Sequence, residues 1–129
     1  MLSKEIFQGI FTNIEPLLPA KWEKVVFYVE FGENSYSMDF YVKERENFIK
    51  CYDLGYISEE EILSAFGRID MIVAPARASD NEMWSNMTMI VDSDGKMYAD
   101  FDYTDFSQMD HEWKKNWKKK YLVNTANKS

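Results

Sequence analysis

Residues 84–103 read WSNMTMIVDSDGKMYADFDY. Two runs flank Asp94-Gly95, one of the strongest short signals for a turn that needs positive φ, so the stretch is a β-hairpin with strands over 84–91 and 96–103. Hairpin strands pair antiparallel, which sets this chain apart from the alternating β-α-β class. On a two-residue loop Val91 pairs with Tyr98, Met89 with Asp100 and Met87 with Asp102. The returning strand shows Tyr98, Asp100 and Asp102 on one face and Met97, Ala99 and Phe101 on the other.

Upstream the period is again two. Val25, Phe27, Val29 and Phe31 alternate with Lys24, Val26, Tyr28 and Glu30, then Gly32-Glu-Asn-Ser35 supplies a turn. Tyr36, Met38, Phe40 and Val42 alternate with Ser37, Asp39, Tyr41 and Lys43, completing a first hairpin. Lys43 to Glu46 forms the next turn and Phe48 to Tyr52 a short third strand. Three helices punctuate these strands. Ser3 caps the first, with Phe7, Ile10, Phe11, Ile14 and Leu18 at helical spacing and Pro16 and Pro19 ending it. Ser58-Glu-Glu-Glu61 is a capping box that opens the second, whose buried positions are Ile62, Phe66, Ile69 and Val73. Pro75 stops or kinks that helix, and 78–82 is a loop. The third runs from about Asp110 to Tyr121, with Trp113, Trp117 and Tyr121 along one seam. The fold class is therefore α+β, in the order α-β-β-β-α-β-β-α, with helices mainly on one face of a five-stranded antiparallel sheet. Residues 1–123 form one domain and 124–129 a mobile polar tail.

The bulk composition agrees with a globular chain. Of 129 residues 46% are apolar and 29% charged, enough hydrophobic material to exclude disorder as a description of the whole. The net charge is −7, a balance that disfavours general binding to nucleic acid or anionic lipid. It is also unevenly spread. Residues 1–112 hold 22 acids against 9 bases, a net of −13, whereas 113–129 hold 6 bases and no acid, a net of +6. Cys51 is the single cysteine, so no internal disulfide forms, and Glu5 interrupts the place where a signal peptide needs its apolar run. No stretch approaches the ~18 apolar residues of a membrane span. A cytoplasmic protein is expected.

The residues with chemistry to offer are mostly carboxylates. Asp92, Asp94, Asp100, Asp102, Asp105, Asp110 and Glu112 accompany a single Lys96. Hard cations favour such oxygen clusters, but an EF-hand loop places glycine sixth and glutamate twelfth, and here Gly95 stands fourth, where a hairpin needs it. A solvated hairpin face, or a surface complementary to a cationic partner, accounts for the cluster more simply. His111 is the only side chain that titrates naturally near neutrality, and it stands at an exposed helix start. Cys51 reads as a small buried hydrophobe. Nucleophile-elbow and phosphate-loop motifs are absent. Lys114, Lys115, Lys118, Lys119 and Lys120 flank the Trp113 and Trp117 seam. Such interleaving can stack bases and hold phosphates, but it is also the ordinary pattern of an amphipathic helix with cations toward its C-terminus.

Several segments together resemble the YezG family of immunity proteins, antitoxins to nuclease toxins of the polymorphic, LXG type. They are Ile10-Phe-Thr-Asn-Ile14, Leu18-Pro19, Trp22-Glu-Lys-Val25 and Phe27-Tyr-Val-Glu30 in the first half. In the second half they are Trp84-Ser-Asn-Met-Thr88, Asp94-Gly95-Lys96, Asp100-Phe-Asp-Tyr103 and Trp117-Lys-Lys-Lys-Tyr-Leu122. The pattern departs at Met83, where the family usually has a proline before the tryptophan, and at Pro75 in the middle helix. The resemblance implies a cognate nuclease toxin as partner and no catalytic centre, cofactor or metal. An inhibitor of a nuclease can present carboxylates in place of phosphates, with aromatic anchors among them. The residues expected to do so are Asp92, Asp94, Tyr98, Asp100, Asp102, Asp105 and Trp84. Two other readings compete: a small metal-dependent enzyme using Asp92, Asp100, Asp102 or Asp105, and a nucleic-acid module using the lysine-rich last helix.

Overall fold

A computed structural model of the protein describes residues 2–80 and 83–122. The chain runs α1 (Lys4–Ile14), β1 (Lys24–Gly32), β2 (Ser35–Glu44), β3 (Asn47–Lys50), α2 (Glu59–Ala78), β4 (Asn86–Asp92), β5 (Met97–Asp102) and α3 (His111–Tyr121). Element order and α+β class are those expected from the sequence. The tail expected at 124–129 lies outside the described residues, as do positions 81 and 82 of the loop expected after α2.

The chain comprises two compact units, each assembled from two stretches. Among the described residues one comprises 2–20, 52–80 and 83, the other 21–51 and 84–122. The first unit is helical. Ser3 caps α1 by accepting from the Ile6 amide, and Ile10 and Ile14 are its buried positions. In α2 the Ser58 hydroxyl accepts from the Glu61 amide at 3.1 Å while the Glu61 carboxylate accepts from the Ser58 amide at 3.0 Å, the reciprocal pairing that the capping box predicts. Between the helices Arg68 donates to Asn13 at 2.7 Å, and Ile72 lies against Gly9.

Pro75 neither stops nor breaks α2, which continues to Ala78. The proline lies in the last turns, and the carbonyl it leaves without a helical donor is that of Met71, a residue 77% exposed and thus open to water. Ser79 then closes the end, its amide and hydroxyl both donating to the Pro75 carbonyl. Pro75→Ala restores the missing helical donor and is expected to raise stability by about 1 kcal/mol. A denaturation midpoint that falls instead would mean that the proline's restriction of the unfolded chain outweighs its cost in the helix.

The second unit is the sheet with α3. Strand order is β3-β2-β1-β4-β5, antiparallel throughout, with β3 and β5 as edges. The expected third strand is confined to its first residues, because Cys51–Asp53 turn into a 3-10 segment that buries Cys51. Alternation makes one face almost wholly apolar: Val25, Phe27 and Val29 of β1 sit beside Phe40 and Val42 of β2 and Met87, Met89 and Val91 of β4, all buried. The opposite face is mixed, with Val26, Tyr28 and Glu30 beside Tyr41, Thr88 and Asn86. α3 covers this mixed face.

The second hairpin keeps its predicted faces but not its predicted register. Its loop has three residues rather than two: the Asp92 amide donates to the Lys96 carbonyl and the Gly95 amide to the Asp92 carbonyl, both at 2.9 Å, with Gly95 at φ 95. Val91 therefore pairs with Met97, Thr88 with Asp100 and Asn86 with Asp102. A two-residue loop would have put Met87 and Met89 on the same face as Asp102 and Asp100. The extra residue sorts apolar with apolar and polar with polar.

Candidate functional site

α3 is held on the sheet by an aromatic cluster with hydrogen bonds at its rim. Asp110 caps the helix, accepting from the Trp113 amide at 2.9 Å. One turn on, Trp117 is buried among Tyr28 (centroids 4.9 Å apart), Tyr41 (5.8 Å) and Tyr121 (5.5 Å). Its indole N–H donates to Thr88 Oγ1 at 2.9 Å, which satisfies the two buried polar groups at once. Lys114 pairs with the buried Glu30, which also accepts from the Tyr28 hydroxyl at 2.7 Å. The Lys114 ammonium lies 4.7 Å from the Tyr28 ring centroid, so the same cation serves an ion pair and a ring face. Burial, then the Glu30 carboxylate, push the Tyr28 hydroxyl far above its ordinary range, so it remains a donor. Trp117 is thereby committed to packing, Trp113 and Tyr121 pack against its cluster while staying partly exposed, and lysines 115, 118, 119 and 120 are exposed.

Along this seam an open groove of 370 Å³ lies between α3 and strands β4 and β5. Thr88, Asp100 and Asp102 line it from the sheet, and Trp113, Trp117 and Tyr121 from the helix. Asp100 accepts from the Tyr121 hydroxyl at 2.8 Å. Asp102 accepts from Asn86 at 2.9 Å and from the Thr104 hydroxyl at 3.1 Å. Partial burial would raise the Asp102 carboxyl, but the hydrogen bonds from Asn86, Thr104 and nearby backbone outweigh it and hold the group below the usual carboxylate range.

That shift has a consequence with a definite sign. A carboxyl whose folded pKa lies below its unfolded one stabilises the fold fully above the ordinary carboxylate range, and the contribution fades as pH falls toward the folded value. Asp102→Asn should therefore flatten this part of the acid limb in denaturation midpoints measured from neutral to acid pH. An acid limb identical to the wild type's would remove Asp102 from the groups responsible.

The expected acidic set is not one cluster. Asp100 and Asp102 face the groove; Asp92 lies 3.6 Å from Lys24 at the other end of the sheet. Asp94 sits in the hairpin turn, where it accepts from the Lys96 amide, and Asp105 caps the 3-10 turn after β5, accepting from Ser107. Tyr98 is 54% exposed on β5, followed in sequence by the exposed Tyr103 and Phe106. Trp84 is fully buried, with Phe31 at 5.6 Å and Phe101 at 5.4 Å, so it contributes to the apolar face and not to the exposed surface. Among the described residues no group of three or more His, Cys, Asp and Glu is placed to hold a metal ion. The carboxylates face different directions, and most are already engaged by donors of the chain itself.

The sequence reading missed Asn86, Thr88, Trp113 and Tyr121 as groove residues. The first two had left a signal: Asn86 and Thr88 alternate with Met87 and Met89, and two polar residues at every second position of a central strand ask for a polar cover.

The profile of the family described as Immunity protein YezG-like matches residues 3–128. The chain is 24% identical over 111 residues to the Immunity protein YezG of Bacillus subtilis (strain 168), an alignment that covers 79% of this chain and 74% of that protein. It is 21% identical over 110 residues to the Immunity protein YezG of Bacillus spizizenii, covering 78% and 68%.

Proposed function

The chain belongs to the YezG-like family of immunity proteins, and from that premise we propose that it binds and inhibits a cognate nuclease toxin in the cytoplasm. The interacting surface in this reading is the acidic, aromatic-bearing side of β5 and the residues around it. The family match carries the immunity role, and such a role calls for a toxin as partner. The nuclease target is supported by charge. Residues 1–112 carry a net of −13, and Asp94, Asp100 and Asp105 are exposed near Tyr98 and Tyr103 in sequence. A phosphate-binding site is basic, so carboxylates with aromatic anchors offer it a complementary surface, accelerating encounter by steering and slowing release by desolvation.

Co-expression tests this directly. A nuclease toxin domain found in the gene's neighbourhood should be tolerated by cells only when this chain is present, and the two should co-purify. Continued degradation of nucleic acid with no complex recovered overturns the proposal; protection against a neighbouring toxin that cuts no nucleic acid keeps the immunity role and replaces the target.

A further inference from the structure

The groove between β5 and α3 pairs carboxylates with aromatic rings. Asp100 and Asp102 stand two residues apart on one face of the strand, and Trp113 and Tyr121 rise from the facing helix. This combination selects for cations, because ring faces and carboxylates both attract positive charge and both repel anions. The molecule's own lysines already use the helix wall in this way. Lys120, which lines the groove, holds its ammonium 5.2 Å from the Tyr121 ring centroid, and Lys114 holds its own 5.8 Å from that of Trp113. The carboxylates are also positioned in advance, by Tyr121 on Asp100 and by Asn86 and Thr104 on Asp102. Little side-chain freedom is left to lose when a ligand arrives. A volume of 370 Å³ is ample for one long side chain and small for a folded element.

We propose that this groove is the receptor for an arginine side chain of the partner protein, with the guanidinium stacked on the Trp113 or Tyr121 ring and donating to the Asp100 and Asp102 carboxylates. The inference rests on the inhibitor reading and narrows it from an acidic surface to one pocket and one residue type. Arginine fits better than lysine for a physical reason. Its guanidinium is planar and weakly hydrated, so it can stack and donate in its own plane at once, whereas an ammonium is a strongly hydrated point charge. Lys120 then acts as an internal competitor that must swing aside.

N-acetyl-arginine amide, titrated into the full chain and followed through the indole N–H resonances of Trp113 and Trp117, tests the pocket without the toxin. A saturable shift is expected with the arginine derivative and none with N-acetyl-citrulline amide, its neutral isostere. Asp100→Asn should weaken the binding about fivefold or more, as loss of a charge-assisted hydrogen bond does. Lys120→Ala should tighten it about two- to threefold by removing the competing cation, a gain that no loss of packing would produce. Absence of a saturable shift, an equal response to citrulline, or indifference to both substitutions overturns the pocket, and equal binding of N-acetyl-lysine amide overturns the choice of arginine. The two levels separate cleanly. If the chain captures its toxin but not the arginine derivative, the pocket is wrong and the inhibitor reading stands; if it binds the derivative and captures no toxin, the inhibitor reading falls and the pocket stands.

Discussion

Trp117→Ala is expected to lower stability by about 3 to 5 kcal/mol, the usual cost of emptying a tryptophan site in a core. The ring is 8% exposed and touches Tyr28, Tyr41 and Tyr121, while its N–H holds the buried Thr88 hydroxyl. An 11-residue helix is marginal by itself, so α3 depends on this seam for its position as well as its stability. Denaturant unfolding measures the loss, and near-ultraviolet dichroism should report the loosened aromatic cluster. Trp117→Phe separates the two contributions: it keeps most of the packing and removes one hydrogen bond to the buried Thr88 hydroxyl, at a cost of about 1 kcal/mol. An alanine variant that loses less than about 1 kcal/mol would show that the helix is held by something other than this cluster.

The second large effect concerns binding. Reversing the charges of the groove, Asp100→Lys with Asp102→Lys, is expected to slow association with a basic toxin by about 10- to 100-fold at low salt, because steering to a charged patch changes on-rates by this order. The difference should shrink as ionic strength rises, since the Debye length falls from about 10 Å at 0.1 M to about 3 Å at 1 M. Asp102 also serves Asn86 and Thr104, so the melting temperature of the variant must be measured alongside. Asp92→Lys with Asp94→Lys, at the far end of β4 and β5, provides the contrast. Association unchanged by the groove pair and slowed by the turn pair would move the interface to the hairpin tip.

The two differences in the second hairpin have one cause. Asp94-Gly95 predicts a two-residue turn by local chemistry, and the observed loop has three residues because Met87, Met89 and Val91 must share a face with Phe101, Ala99 and Met97. Burial of that face outweighs the local preference. The same burial moves Trp84 from a proposed contact to the apolar layer, beside Phe31 and Phe101. Pro75 is the reverse case. A local rule predicted a stop or a kink, and the helix runs on past the proline to Ala78, with Met71, whose carbonyl loses its helical donor, 77% exposed.

Periodicity, caps and turn dipeptides determined the element order, the antiparallel pairing and the faces of β5, because each depends on residues close together in the chain. Segment order and spacing likewise carried the family resemblance. The register of β4 on β5, the burial of Trp84 and the groove between Asp100 and Tyr121 were decided only by the tertiary structure. They depend on side chains from distant segments competing for the same space and the same hydrogen-bond donors, and no local pattern encodes that competition.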